Sequence, residues 1–383
     1  MKLEKFIAGT YRQNYQHKSF SYKSFSPAPI NTEWSWEDPV IHVLLEKASR
    51  ALASLDAYSF MVPNIDLFIK MHIAKEANTS SRIEGTKTNI NEDLLPKEDL
   101  GPEKRDDWQE VKNYVNAMNT AITELEHLPL SNRLLRNTHV VLMQGVRGAN
   151  KYPGEFRISQ NWIGGSNLTD ASYIPPNPDE VPELMGDLEK FLHNLDIQVP
   201  HLIRIAIAHY QFETIHPFCD GNGRIGRLMI PLYLIDNKLL GKPSLYLSYF
   251  FERNRQSYYD ALDMPRRSGD LCQWIKFFLN GIIQTSENGI QTFNGILQLK
   301  QKMDQLVVTF NRKAQNAQKL VHFLYKSPII AYDDACRELE LTARPVNELI
   351  QMFVDHGILQ KVAGNYRNKK FSFTEYINLF LTK

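Results

Sequence analysis

From Pro39 to about residue 300 the apolar residues of this chain recur at steps of three and four, in runs broken only by short polar or proline-containing stretches. That period suits helices packed on one another and leaves little room for a sheet. "VIHVLLEKASRALASLDAY", "NIDLFIKMHIAKEANTSSRIEG", "WQEVKNYVNAMNTAITELEH", "SNRLLRNTHVVLMQG", "PDEVPELMGDLEKFLHNL", "HLIRIAIAHYQFETIH", "RIGRLMIPLYLIDNKLL" and "RQSYYDALDMPRR" all carry it. The clearest β signal in this part is "FRISQNWIGGS", where β-type residues meet a Gly-Gly turn, so one small hairpin is expected among the helices. Residues 1–38, aromatic and polar with Pro27 and Pro29, read as an arm lying over the domain. A chain of 383 residues with 43% hydrophobic and 23% charged residues has the composition of an ordinary globular protein with a sizeable core.

Net charge is +1, so no global field marks a nucleic-acid or membrane binder. The first twenty residues lack the apolar segment of a secretory signal, and no apolar run reaches the length of a membrane span. Cys219, Cys272 and Cys336 are odd in number and show no paired spacing. A reducing cytoplasm is the expected location, with no membrane partner.

"HPFCDGNGRIGR", His216 to Arg227, concentrates the chemistry. Gly221, Asn222 and Gly223 all tolerate left-handed backbone angles, so successive amides can line one anion-binding concavity. A helix starting near Arg224 would add its N-terminal amides to that site. Arg224 and Arg227, three apart, share a face and suit a polyphosphate. Asp220, just before the loop, is the single carboxylate with which a protein usually holds Mg²⁺ against phosphate oxygens. His216, at the end of the preceding helix, can accept a proton from an attacking hydroxyl.

Three rival chemistries are weaker. Cys219 stands close to His216, but no orienting third partner accompanies them as in a thiol nucleophile. His209, Glu213 and His216 have the i, i+4, i+7 spacing of a metal-binding helix face, yet buried histidines and glutamates more often satisfy one another or the backbone. No Gly-Lys-Ser/Thr phosphate loop occurs.

The twelve residues resemble the signature of the Fic (filamentation induced by cAMP) family, His-Pro-Phe-x-Asp/Glu-Gly-Asn-Gly-Arg-x-x-Arg, with every fixed position filled. Resemblance extends over roughly residues 40–290. It implies a mainly α fold and a protein adenylyltransferase that moves AMP from ATP to a Ser, Thr or Tyr hydroxyl of a target protein, itself included. By resemblance His216 is the general base, Asp220 positions Mg²⁺, and Gly221, Asn222, Gly223, Arg224, Ile225, Gly226 and Arg227 bind the phosphates. The hairpin at about 157–164 resembles the flap that aligns a target by strand addition. Asn254 and Tyr258, in "FFERNRQSYYDAL", are the candidates for contact with the adenine.

"SSRIEG", Ser80 to Gly85, resembles the family's inhibitory motif Ser/Thr-x-x-x-Glu-Gly/Asn. A carboxylate in the last turn of a helix faces the negative end of the dipole, and a cation would repair that. The resemblance supplies Arg227: with Glu84 on it, the arginine cannot hold the γ-phosphate. Ser80, one turn earlier, is expected to orient Glu84.

The expected organisation is an arm (1–38), a helical region with the inhibitory helix (39–110), a Fic-like core (111–290), a linker helix (291–314) and a C-terminal unit (315–383). In that unit "LTARPVNELIQMFVDHGILQKV" places a helix after a short turn, and "ILQKV" and "KKFSFTEY" flank "AGNYRN" as a wing, resembling a winged helix-turn-helix. From Arg312 onward there are eleven Lys/Arg against seven Asp/Glu. That excess leaves DNA contact and protein contact both open. Two other functions stay in view: an enzyme that also removes AMP, and a DNA-binding regulator that uses the Fic-like region as a nucleotide sensor. A homodimer is implied by resemblance only.

Overall fold

The computed structural model describes residues 1–15, 21–62, 65–145, 151–362 and 369–381. Two strands come first, β1 (Gly9–Asn14) and β2 (Tyr22–Pro27), paired antiparallel with Gly9 opposite Pro27 and Asn14 opposite Tyr22. The arm is thus a hairpin. Ser24, Phe25 and Pro27 turn inward from β2, and the Phe25 amide bonds to the Ile174 carbonyl at 2.9 Å. The sequence signal was weak because β1 is polar and exposed along its length.

Helices follow: α1 (Pro39–Met61), α2 (Ile65–Ile83), the single turn α3 (Ile90–Asp93), α4 (Arg105–Glu124) and α5 (Asn132–Leu142). Local signals set their starts. The Asp38 carboxylate accepts from the Val40 amide ahead of α1, Asn89 and Glu92 form a capping box at α3, and Ser131 caps α5. Next come α6 (Val181–His193), α7 (His201–Ile215), α8 (Asn222–Asp236), α9 (Ser248–Arg253) and α10 (Arg255–Ser268). Buried on nearly every face, α7 and α8 form the centre of the core.

The segment 157–164 is not a hairpin. Its one ladder contact is the isolated bridge between Ile163 and Tyr173. Side chains hold it instead: Gln160 donates to the Pro175 carbonyl at 3.0 Å and Asn161 to the Phe218 carbonyl at 3.0 Å.

A single helix, α11 (Cys272–Val308), runs through the expected boundary at residue 290. Its first part packs on α1 and α7, and it goes on to meet α12 (Ala314–Lys326). Beyond it lie β3 (Ile329–Ala331), α13 (Tyr332–Leu339), α14 (Ala343–Asp355), β4 (Gln360–Lys361), β5 (Lys370–Ser372) and α15 (Thr374–Leu381). The sheet order is β3-β5-β4, all antiparallel. The expected second strand "KKFSFTEY" is strand only to Ser372 and then becomes α15, while β3 was not anticipated. The expected wing at 363–368 lies outside the described residues. Among the described residues, no helix is long and apolar enough to cross a membrane.

Candidate active site

The loop between α7 and α8 is built by three left-handed or stapled positions. His216 ends α7 at φ 51°, ψ 61°, in the left-handed region, and its amide still reaches the Phe212 carbonyl at 2.9 Å. Gly221 opens α8 at φ 74°, where an added Cβ would lie 3.0 Å from Met143 Sδ. Asn222 accepts from the Phe218 amide and donates to the Phe218 carbonyl, both at 2.8 Å, and is 2% exposed. Its side chain is therefore a staple that closes the loop.

The two arginines are buried and differently engaged. Arg224 reaches Glu110 at 3.3 Å from one side and stands 3.9 Å from Asp220 on the other. Arg227 donates through Nε to Ser80 Oγ at 2.8 Å, and through Nη2 to the Ser80 carbonyl at 3.0 Å and Glu84 Oε1 at 2.6 Å. The sequence thus brings "SSRIEG" onto "GNGRIGR" across 143 residues. Ser80 was expected to orient the glutamate; its hydroxyl and carbonyl hold the arginine instead. Glu84 stands one residue beyond α2, its amide on the Ser81 carbonyl, and Gly85 follows at φ 108°. Burial opposes ionisation of Glu84, but the Arg227 charge and hydrogen bond outweigh it and hold the carboxyl below its ordinary value. Burial likewise opposes the charge on Arg227, and Glu84 raises its pKa. A Cβ at Gly223 would fall 2.4 Å from Glu84 Oε1 and 2.9 Å from Arg227 Nη1, so the pair fills the space directly over the glycine loop.

The His216 imidazole is uncharged at pH 7. Burial, then the nearby Arg157, lowers its pKa to about 4, and its Nδ1 is buried without a hydrogen bond among the described residues. Asp220 accepts from the Gly221 amide at 2.7 Å and from Lys151 at 3.2 Å. Burial opposes ionisation there too, yet Lys151 and the amide keep the carboxyl below its usual range. Its side chain stays partly exposed, which fits a divalent cation shared with phosphate oxygens. Among the described residues no group of three or more His, Cys, Asp or Glu is placed to hold a metal alone. His209 is engaged on both nitrogens, by the Gly226 carbonyl and the Tyr258 hydroxyl, each at 2.9 Å.

The other residues singled out in the sequence turn elsewhere. Ile225 is fully buried in the core, and the Gly226 carbonyl faces His209. Tyr258 is 1% exposed and stacked on Phe251, so its ring does not line the loop in this conformation. Asn254 bridges α9 and α10 and donates to the Phe250 carbonyl at 2.9 Å. Cys219 is a free thiol.

Several residues that hold the site carry no local signature. His139 stacks on Phe218 with centroids 4.0 Å apart. Its Nδ1 accepts the Gly154 amide at 2.8 Å, which leaves Nε2 to donate to the Asp220 carbonyl at 3.0 Å. Arg157, 2% exposed, donates to the His216 carbonyl at 3.0 Å and to the carbonyl of Pro176. It clamps the His216 backbone.

Comparison with known proteins agrees with this geometry. The family model described as Fic/DOC family N-terminal matches residues 42–123, and that described as Fic/DOC family matches residues 129–234. This part of the chain belongs to the Fic/DOC family. The chain is 32% identical over 169 residues to the protein adenylyltransferase Fic of Aedes aegypti, covering 43% of this chain and 29% of that protein. The Drosophila melanogaster protein adenylyltransferase Fic gives 32% over 168 residues, again 43% and 29%. The match thus spans under a third of these relatives' length. Among solved structures, a Fic family protein from Desulfovibrio desulfuricans G20 superposes with a TM-score of 0.53 at 20% identity, covering 88% of this chain and 96% of that one. Fic-1 from C. elegans gives 0.50 at 20% identity, covering 68% and 75%. These last likenesses concern the fold.

Proposed function

We propose that the chain is a protein adenylyltransferase that moves AMP from ATP to a hydroxyl of a target protein and is held in check by its own Glu84. The observation that carries this reading is the Glu84–Arg227 pair, at 2.6 Å, lying over the glycine loop. The amides of the loop and the start of α8 receive the phosphates. Arg224, already buried beside Glu110, needs little ordering to join them. Arg227 is available to the terminal phosphate only when Glu84 leaves. His216, neutral and clamped through its carbonyl, takes the proton of the incoming hydroxyl. The hydroxyl oxygen then bonds to the α-phosphorus, the bond to the bridging oxygen breaks, and pyrophosphate departs with the electron pair. Asp220 would hold a Mg²⁺ there, whose charge offsets that of the phosphates.

We also read residues 314–381 as a winged helix-turn-helix unit, a view supported by the order helix-strand-helix-helix-strand-strand and the sheet order β3-β5-β4. Its candidate recognition helix, α14, pairs Arg344 and Lys313 with Glu348. The helix carries one basic side chain, Arg344, against Glu348 and Asp355, so a protein is the better-supported partner of this face.

The test is incubation of Glu84→Gly protein with α-labelled ATP and cell lysate. Label should enter protein, and should not when His216→Ala is added. No transfer from Glu84→Gly protein with intact ATP binding would overturn the reading.

A further inference from the structure

Against α2, a cavity of about 60 Å³ opens between α2, α11 and the segment 244–249. A single water needs roughly 10–15 Å³ by this measure, so the space admits about four waters or one small oxyanion. Its walls are polar in an otherwise apolar region. Ser244 and Tyr246 are 3% and 7% exposed, and among the described residues neither buried hydroxyl has a hydrogen-bond partner. His72 Nε2 is buried in the same condition, its ring set edge-on between Phe293 and Phe380.

Such groups are costly when left unpaired, and three around one space point to an occupant that pairs them. Lys75 gives the occupant its sign. The ammonium lies 4.2 Å from the centre of the Tyr249 ring, and among the described residues it has no ion pair. The one carboxylate on the wall is turned to other donors. Glu76 accepts from the Tyr114 hydroxyl at 2.9 Å, and from the Ser248 amide at 3.2 Å and hydroxyl at 2.5 Å. Burial pushes the Lys75 ammonium down to about 8, and the charge of Glu76 beside it offsets only part of that.

We propose that this cavity is a binding site for a small oxyanion, a carboxylate or a phosphate, held on Lys75 and the Ser244 and Tyr246 hydroxyls. Position gives the site a consequence. Thr79, on the cavity wall, immediately precedes Ser80, whose hydroxyl and carbonyl hold Arg227. An anion that bridges α2 to the 244–249 segment ties the helix end carrying Ser80 and Glu84 to the core. It therefore tightens the block over the glycine loop. This regulatory half rests on the function proposed above; the binding site does not.

The test uses the full chain and two probes, orthophosphate and acetate, each exchanged against chloride at constant ionic strength. Crystals soaked in either probe should show it against Lys75 Nζ and the Tyr246 hydroxyl, and the stronger probe identifies the ligand class. In solution, amide hydrogen exchange over residues 76–84 should slow by about tenfold at probe concentrations ten times Kd. Tyr246→Phe, which removes one oxygen, and Lys75→Met should abolish that slowing. Any probe binding at the glycine loop would persist in both variants. A cavity holding water only, or equal slowing in the variants, overturns the site. An anion present without slower exchange overturns the regulatory half. Failure of Glu84→Gly protein to transfer label, with the anion still bound against α2, counts against the proposed activity alone.

Discussion

Removal of the Glu84 carboxylate should release Arg227, and the geometry sets the size of the effect. A charge-assisted hydrogen bond contributes about 1.5–3 kcal/mol when shielded from water. The Glu84 side chain is 37% exposed, so screening lowers the pair's worth to about 1–2 kcal/mol. The two Ser80 bonds survive the substitution and keep the guanidinium in place. At subsaturating ATP, Glu84→Gly should therefore raise label transfer by roughly 5- to 30-fold. Glu84→Gln removes the charge but leaves bulk over Gly223, where Oε1 now stands 2.4 Å from a Cβ position, so it should recover only part of the rise. The assay is initial rate of incorporation from α-labelled ATP, paired with ATP affinity by calorimetry. Transfer and affinity of Glu84→Gly within about twofold of the parent chain would refute gating by this pair.

Three further outcomes follow from the geometry. Asn222→Ala strips both bonds from the buried Phe218 peptide and should cost about 2–4 kcal/mol in urea unfolding. Gly226→Ala places a Cβ 2.2 Å from Glu213 Oε1 and should cost about 1–3 kcal/mol, much of it restored in the double variant with Glu213→Ala. Burial holds His72 and His209 at about 3 and His139 and His216 at about 4, so the unfolded chain takes up protons first as pH falls below about 6.5. Glu213, raised by burial to about 7, acts oppositely: its contribution is full below about 4.5 and is lost as pH rises through 7. Four histidines outweigh it, and stability measured by urea should drop on the order of 3–5 kcal/mol from pH 6.5 to 5; a rise would contradict their burial.

What the sequence disclosed was what local chemistry decides. A period of 3.6 residues located the helices of the core, Gly221 marked a left-handed turn, and Gly223 marked a close approach at the start of α8 that only a small residue permits. Tertiary partnership left no such trace. His139, Arg157 and Glu110 are ordinary polar residues until the fold sets them against Asp220, His216 and Arg224. The segment 157–164 misled because β-type residues there are held by Gln160 and Asn161 side chains and not by a ladder. Tyr258 misled because an aromatic beside a binding loop is as readily a core residue, here bonded to His209. The hairpin of β1 and β2 escaped notice because one of its strands faces water on both sides.

Helix α11 bears on how the protein can be taken apart. With 37 residues at 1.5 Å each, it is a rod of about 55 Å whose near end covers α1 and whose far end carries α12 and α15. Severing it at any point strips apolar cover from whichever fragment loses its share. The Fic/DOC and C-terminal portions are therefore joined by a beam and not a tether, and a pull on one end arrives at the other as a displacement.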